Sequence, residues 1–245
     1  MTLPPGWRLE VHEALASTSD RVAAAAEAGA PAGLAVLARR QTAGRGRSGR
    51  AWASPDGNLF CTLLLRPPGP VREAGQWSLV AGVALAEAAR ALDPEPLALR
   101  LKWPNDLLRH GAKCAGILTE SALAADGTLA WVSLGIGVNL AAAPPLPDRP
   151  TAKLGAAEAP EAFAARLIAR VDHWARRQAA EGFAPVRTAW TALGPDPGTP
   201  LTLSAGPVTA GRFAGLAEDG GLLLEAGGQR HVIRSGEIQQ RPEGA

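Results

Sequence analysis

Hydrophobic and polar positions along the chain fall into two regimes, with the change near residue 194. In the first, runs with helical spacing alternate with short apolar runs of strand length. Residues 18–29 read as a helix: Thr18 or Ser19 supplies an N-cap, Asp20 suits the first turn, alanines fill the body and Gly29 ends it. Leu34–Leu37 is a short strand. Ser54-Pro55-Asp56-Gly57 spells a turn, and Leu59–Leu65 is a strong strand after it. Between Trp77 and Leu92, Trp77, Val80, Val83, Ala84 and Ala88 recur at helical spacing and predict a buried helix. Leu97–Trp103, Leu107–Arg109, Cys114–Leu118 and Ala130–Val138 follow as strands, with His110-Gly111 at the tip of a hairpin. A proline-rich loop, Pro144–Pro150, leads to an amphipathic helix over Pro160–Ala180.

The second regime is all short runs. Gly194-Pro195-Asp196-Pro197-Gly198 has the composition of a linker. From Leu201 to Ile238, four or five apolar runs are separated by glycine turns such as Asp219-Gly220-Gly221 and Gly227-Gly228, as in a small β-barrel. The expectation is an α+β protein: residues 1–193 form a mixed β-sheet domain with flanking helices, and residues 194–245 form a small β module.

Composition narrows the class. Of 245 residues, 47% are apolar and 20% charged, which suits a globular chain with one large domain and one small. No apolar run approaches the ~20 residues that span a bilayer. Met1 to Arg8 has no charged start before an apolar core, so no signal peptide is expected. Cys61 and Cys114 both lie in strand-like apolar runs; they could pair, but a reducing, cytoplasmic setting favours buried free thiols.

Net charge is only +2, yet Arg39 to Arg50 holds five arginines, three glycines and no acid. Glycines allow close backbone approach and positive φ, and guanidinium forks grip phosphate or carboxylate. Taken alone, the segment reads either as a solvated basic loop or as a lid over an anion. A second bias bears on it. Of 25 basic residues, 22 are Arg and three are Lys: Lys102, Lys113 and Lys153. A lysine kept against that preference points to chemistry that needs a compact ammonium on a flexible stem.

Gly44-Arg45-Gly46-Arg47-Ser48-Gly49 matches G-x-G-x-x-G, but no helix follows and position 66 is Arg66, so a dinucleotide fold is excluded. There is no Walker A run either. Lys102-Trp103-Pro104-Asn105-Asp106 sets polar side chains at a strand end, where an ordinary turn and a ligand contact are both open readings. Lys113-Cys114-Ala115-Gly116-Ile117-Leu118 begins a strand with a rare lysine beside small residues. Gly135-Ile136-Gly137-Val138-Asn139-Leu140 repeats the theme, as either a glycine bulge or a ligand-facing strand with an amide at its end.

Together these four segments resemble the biotin protein ligase family, also called biotin–[acetyl-CoA-carboxylase] ligases. The family signature is a G-R-G-R-x-G-R-x-W loop, a K-W-P-N-D segment, a K-x-[AG]-G-I-L strand and a G-[IV]-G-[IVL]-N strand. All four stand here in order, at Gly44–Trp52, Lys102–Asp106, Lys113–Leu118 and Gly135–Asn139. Ser17-Thr18-Ser19 is similar to the family's D-S-T-N element, with Ala16 for the acid and Ser19 for Asn. The likeness runs from about Leu15 to Leu140, and the C-terminal module is consistent with the family's SH3-like barrel.

The resemblance implies an enzyme that joins biotin to ATP, giving biotinyl-5′-adenylate and pyrophosphate. It then passes biotin to a lysine of a biotin carboxyl carrier protein. Bringing a carboxylate to a triphosphate calls for cations that cancel repulsion and hold geometry. By this likeness Lys113, Arg45 and Asp106 are catalytic candidates, with Asp106 orienting or deprotonating the incoming lysine. Biotin contacts fall to Ser17, Thr18, Ser19, Gln41, Gly44, Arg45, Gly46, Arg47, Lys113, Gly116 and Gly137. ATP contacts fall to Arg45, Arg47, Trp52, Lys102, Asn105, Lys113 and Asn139, with Trp52 stacking on adenine and Asn139 reading its edge. Mg2+ would ride on the phosphates. The C-terminal module offers no group of the kind the first step needs, and is expected to dock the acceptor or brace the site.

Two rivals follow from the same likeness. A lipoate or octanoate ligase carries a glycine-rich signature ending in histidine, and none of His12, His110, His173 or His231 lies in such a loop. A biotin-responsive regulator places a winged helix-turn-helix ahead of the ligase domain, whereas here the Ser17 element begins almost at once, so no specific DNA binding is expected. A homodimer stays open, and no membrane partner is expected.

Overall fold

The computed structural model describes residues 2–155, 158–204 and 208–240. Seven strands make one mixed sheet: β1 (Arg8–Leu15), β2 (Leu34–Gln41), β3 (Leu59–Leu65), β4 (Leu99–Lys102), β5 (Asp106–Arg109), β6 (Ala112–Leu123) and β7 (Leu129–Val138). Their order across the sheet is β1-β2-β3-β7-β6-β5-β4. Only β1 and β2 run parallel; every other neighbour is antiparallel.

The apolar run of β3 explains its central place. All seven of its residues are buried, so both faces of the strand must be covered. Alternation sends Ala35, Leu37, Leu59, Cys61, Leu63 and Leu65 into the main core under α2 (Gln76–Arg90) and α3 (Pro160–Glu181). Leu34, Val36 and Leu64 point the other way, onto Val22, Ala25 and Ala26 of α1 (Thr18–Glu27) and onto Trp131. Gly29 stands at φ 84° just past α1, the left-handed position that stops such a helix. His110 and Gly111 both have positive φ (48° and 77°), which gives the β5–β6 hairpin the turn twist expected of it.

Several boundaries move. Ser17, not Thr18 or Ser19, takes the N-cap position of α1. The run Leu97–Trp103 is a short 3-10 turn over Pro96–Ala98 followed by β4, because Leu97 faces solvent, 81% exposed. Two elements lack any sequence expectation. β1 is a half-exposed edge strand, and α4 (Ala184–Leu193) starts right after α3, separated by Gly182 at φ 75°.

The C-terminal strands are β8 (Pro200–Leu203), β9 (Ala210–Leu216), β10 (Leu222–Ala226), β11 (Gln229–Ile233) and β12 (Ile238–Gln240). They form an antiparallel sheet in the order β11-β10-β9-β8-β12, consistent with an SH3-like module. Its Leu201, Phe213, Leu222, Leu224 and Ile238 are continuous with the main core. Phe213 meets Trp190 of α4 at 6.3 Å between ring centroids, and the Trp103 indole donates to the Gly220 carbonyl at 3.2 Å. Cys61 and Cys114 are free and buried, and burial pushes both thiols up to about 12.

Asp93, just beyond α2, ties the edge of this frame together. Its buried carboxylate accepts from Arg109 Nε at 2.9 Å, from the Gly155 amide at 2.8 Å and from the Glu95 amide at 2.9 Å. Burial alone would raise its pKa, but the Arg109 hydrogen bond and the two amides outweigh burial and hold it below the usual carboxylate value. A depressed folded pKa means that the contribution is present above the unfolded value of about 3.9 and is lost as pH falls through the folded one. Asp93→Asn is therefore expected to lower unfolding stability at pH 7 by about 1.5–3 kcal/mol. It should also flatten the loss of stability between pH 5 and pH 2 in urea titrations, where wild-type pH dependence in the variant would refute this role.

Candidate active site

Two rows of side chains, level across three strands, define a cavity on the α1 face of the sheet. Phe60, Gly137 and Gly116 are one row, and Thr62, Gly135 and Leu118 are the next. Three of these six positions carry no side chain, so the sheet is hollowed just beyond the N-terminus of α1. The resulting cavity is about 500 Å³. A methyl group on Gly135 would come within 2.8 Å of Ser19 Oγ, and one on Gly137 within 2.5 Å of the Trp52 ring. Only glycine lets Ser19 and Trp52 approach the sheet this closely.

One end of the cavity is neutral and polar. Ser17, Thr18 and Ser19 reach it from the start of α1, and Gln41 from the end of β2. Gln41 Oε1 accepts from the Thr18 amide at 2.9 Å and from its hydroxyl at 3.1 Å. Thr62, a polar residue inside the apolar β3 run, fixes both neighbours: its hydroxyl lies 2.8 Å from Thr18 Oγ1 and 3.3 Å from Ser19 Oγ. Ser17 makes no side-chain cap to its helix, which leaves its hydroxyl for a ligand.

The other end is cationic. The arginine-glycine segment is a tight hairpin: Trp52 N donates to Gly44 O at 2.9 Å, Gly46 N donates to Arg50 O at 2.7 Å, and Ser48 and Gly49 turn the tip with φ of 56° and 71°. Gly44 sits at its base, packed on the Trp52 backbone and outside the cavity wall. The hairpin delivers Arg45, Gly46, Arg47 and Trp52 to the cavity. Arg45 pairs with Asp20 and, at 3.3 Å, with Glu120. Arg47 Nη1 donates to Asn105 Oδ1 at 3.2 Å, while Asn105 Nδ2 donates to Ile117 O at 2.7 Å. Burial, with Arg50 close by, lowers the Arg47 pKa. Trp52 lies flat on Gly116 and Gly137 with its indole nitrogen buried and unpartnered, and Lys113 Nζ stands 5.4 Å from the ring centroid.

Asp106 organises the lysines. Its Oδ1 is 2.6 Å from Lys113 Nζ, and its Oδ2 is 3.7 Å from Lys102 Nζ and 3.6 Å from Arg149 Nη1. Burial lowers the Lys102 pKa, with Lys113 and Arg149 acting in the same direction and Asp106 opposing them. Lys102 is thus behind the wall, a partner of Asp106 and not a lining residue. Asn139 is also drawn away from the cavity. It is buried, its Nδ2 donates to Ala152 O at 3.0 Å, and its own carbonyl holds Leu154 N at 2.9 Å. Of the expected site residues, Gly44, Lys102 and Asn139 do not line the cavity; they are engaged in packing, an ion pair and internal hydrogen bonds respectively.

Arg149 and Glu237 are among the lining residues that had no place in the sequence reading of the site. Pro150 and Ala152 pair with Lys113 through its amide and carbonyl, both at 2.9 Å, which carries Arg149 to the cavity. Glu237, at the edge of the C-terminal module, pairs with Arg50 and, at 3.2 Å, with Arg149. The module therefore brings a carboxylate to the cavity edge as a counter-charge for Arg50 and Arg149. Arg149 could have been suspected as the one cation in a proline-rich loop; Glu237 has no local signal, since only the tertiary fold brings it near.

Residues 13–139 match the model of the biotin/lipoate A/B protein ligase family, and residues 201–241 match the biotin protein ligase C-terminal domain. The chain belongs to the biotin protein ligase family. A biotin–[acetyl-CoA-carboxylase] ligase of Paracoccus denitrificans is 40% identical over 213 residues, covering 83% of this chain and 88% of that protein. A protein of the same name from Mycobacterium tuberculosis is 33% identical, covering 95% of this chain and 89% of its own length. The structure of an Aquifex aeolicus biotin protein ligase in complex with biotin and ATP aligns with a TM-score of 0.76 at 26% identity, over 96% of this chain and 98% of that one.

In this family member the hairpin is tied at both ends by half-exposed ion pairs. Such pairs contribute about 0.2–1 kcal/mol each. Glu237→Gln is expected to speed amide exchange over residues 44–53 by roughly two- to fivefold, consistent with that range. Unchanged protection there would show that Glu237 does not restrain the hairpin.

Proposed function

We propose that this protein condenses biotin with ATP to biotinyl-5′-adenylate and pyrophosphate, then transfers the biotinyl group to a lysine of a biotin carboxyl carrier domain. One observation carries the reading: a single cavity has a neutral hydrogen-bonding end and a cationic end, on a floor kept flat by Gly116 and Gly137. A ureido ring has donors and acceptors and no charge, which suits Ser17, Thr18, Ser19 and Gln41. A carboxylate meeting an α-phosphate suits Lys113, Arg45 and Arg47.

The residues divide the work by position. Lys113, half neutralised by Asp106, is set to bridge the carboxylate and the α-phosphate as charge builds between them. Arg47, with no carboxylate partner among the described residues, is ready for a phosphate oxygen. Arg45 leaves Asp20 and Glu120 for ligand when the hairpin closes. Asp106 already serves three cations, so we assign it the orientation of Lys113 and not removal of the acceptor proton. Trp52 roofs the glycine floor and offers a ring face to the adenylate, and Asn139 acts by fixing the wall behind it. Closure keeps water from the mixed anhydride. Among the described residues no three His, Cys, Asp or Glu side chains group as a metal cage, so Mg2+ would enter with ATP. The chemistry it supplies there is neutralisation of phosphate charge.

The same polar end separates the rivals. Octanoate or lipoate has no ureido ring to match the donors and acceptors of this end and would leave the Ser17 hydroxyl without a partner, a cost that biotin avoids. Two buried thiols suit a reducing, cytoplasmic setting. No helix among the described residues is long and apolar enough to cross a membrane.

Lys113→Arg keeps the charge but not the compact head, and should slow biotin-dependent pyrophosphate release by roughly a hundredfold, the scale of losing one oxyanion contact. The assay is run with biotin, lipoate and octanoate in parallel. Equal release with octanoate would overturn the substrate assignment, and near-wild-type release by Lys113→Arg would overturn the role of the lysine.

A further inference from the structure

A cavity of about 510 Å³ lies between the segment after β3, the start of α2 and the last turns of α3, and it shares no residue with the active-site cavity. Its apolar walls are Leu65, Pro67 and Pro68, Trp77 from the first turn of α2, Ala175 of α3, and Phe183 beyond the Gly182 turn. We propose that this cavity binds a small amphipathic amine, whose apolar body fills the space between these walls and whose ammonium is held by Glu73 and Gln178.

The polar groups of the cavity decide the charge of the occupant. Four charged side chains line it, and three of them are engaged. Arg66 donates to the carbonyls of Ala26, Ala30 and Ala130 at 2.7, 3.0 and 2.9 Å. Arg176 and Asp172 pair at 2.8 Å, and Asp172 also accepts from the Trp7 indole at 2.9 Å. Glu73 alone has neither an ion pair nor a side-chain hydrogen bond among the described residues, so the free charge is negative.

Gln178 adds a second acceptor. Its Nε2 donates to Gln76 Oε1 at 3.3 Å, which leaves its own Oε1 buried without a partner. A buried carbonyl oxygen in that state is destabilising until a donor reaches it. Gln76 stands three residues beyond Glu73, so the two acceptors are joined through it at the start of α2. An ammonium meets both, with three donors and a positive charge. Trp77 and Phe183 add aromatic surface, which attracts a cation. A purely apolar occupant would leave both acceptors unmet, and an anion would face Glu73 with both arginines already engaged.

The site is separate from the ligation chemistry, and its test does not depend on that chemistry. Three probes of one shape, phenethylamine, phenethyl alcohol and hydrocinnamate, are titrated calorimetrically into the full chain, with and without biotin. The amine should bind about fivefold more tightly than the alcohol, and the carboxylate should bind most weakly. Glu73→Gln should weaken the amine about tenfold, the scale of a charge-assisted contact, and leave the alcohol within about twofold. Gln178→Glu, which sets a carboxylate where the orphaned carbonyl stands, should tighten the amine about threefold. Both side chains are partly exposed, and circular dichroism checks that the variants fold. Equal binding of amine and alcohol overturns the assignment, and so does unaltered amine binding by folded Glu73→Gln. Amine binding that biotin abolishes would place the probe in the active-site cavity and overturns it as well.

Discussion

Cations cannot be gathered around a partly buried cavity without counter-charges, and that constraint shapes the whole site. Lys113, Arg45, Arg47, Arg50 and Arg149 converge on a space of about 500 Å³. Left unpaired, they would repel one another and pay for lost hydration. Asp106 answers two lysines and Arg149, Asp20 and Glu120 answer Arg45, and Glu237 answers Arg50 and Arg149. These carboxylates come from α1, β5, β6 and the C-terminal module, so the site can form only when all of those elements are in place.

The same constraint explains why the C-terminal module is not a loose appendage. Glu237 alone would be a weak tether, being partly exposed. It works because Ile238 beside it is fully buried, and because Phe213 and Leu224 of the same sheet join the core under α4. Hydrophobic burial supplies the attachment, and the ion pair takes its geometry from that attachment. A chain cut before β8 would lose the carboxylate and expose that apolar surface together.

What could be read in the sequence tracks how local the physics is. β3 is legible because six apolar residues broken only by Thr62 need no partner to declare themselves, and the hairpin at His110-Gly111 because its turn chemistry is contained in two residues. β1 escapes notice because an edge strand buries little, and Val11 is 44% exposed. In the site, the glycines and the arginine hairpin are visible as motifs. The partners that spend Asn139 and Lys102 internally are not, since Ala152 and Asp106 become neighbours only through folding. Thr62 is the middle case: its polarity within an apolar run is visible, but its link to Thr18 and Ser19 depends on α1 packing over β3.

Burial divides the ion pairs into those that hold and those that exchange. The Lys113 and Asp106 side chains are 14% and 7% exposed, so separating them would strand charge in a poor solvent. Arg45 and Asp20 are 42% and 50% exposed, and water can replace either partner at little cost. Arg50, 48% exposed, is in the same position toward Glu237. The hairpin is thus held by contacts that a phosphate or carboxylate can outbid, while Lys113, proposed to face the reacting atoms, is fixed by one that it cannot. Gly44 at the base and Gly49 at the tip would let the backbone follow that exchange, and in the proposed reaction the substrate's own charge would become the counter-ion that completes the site.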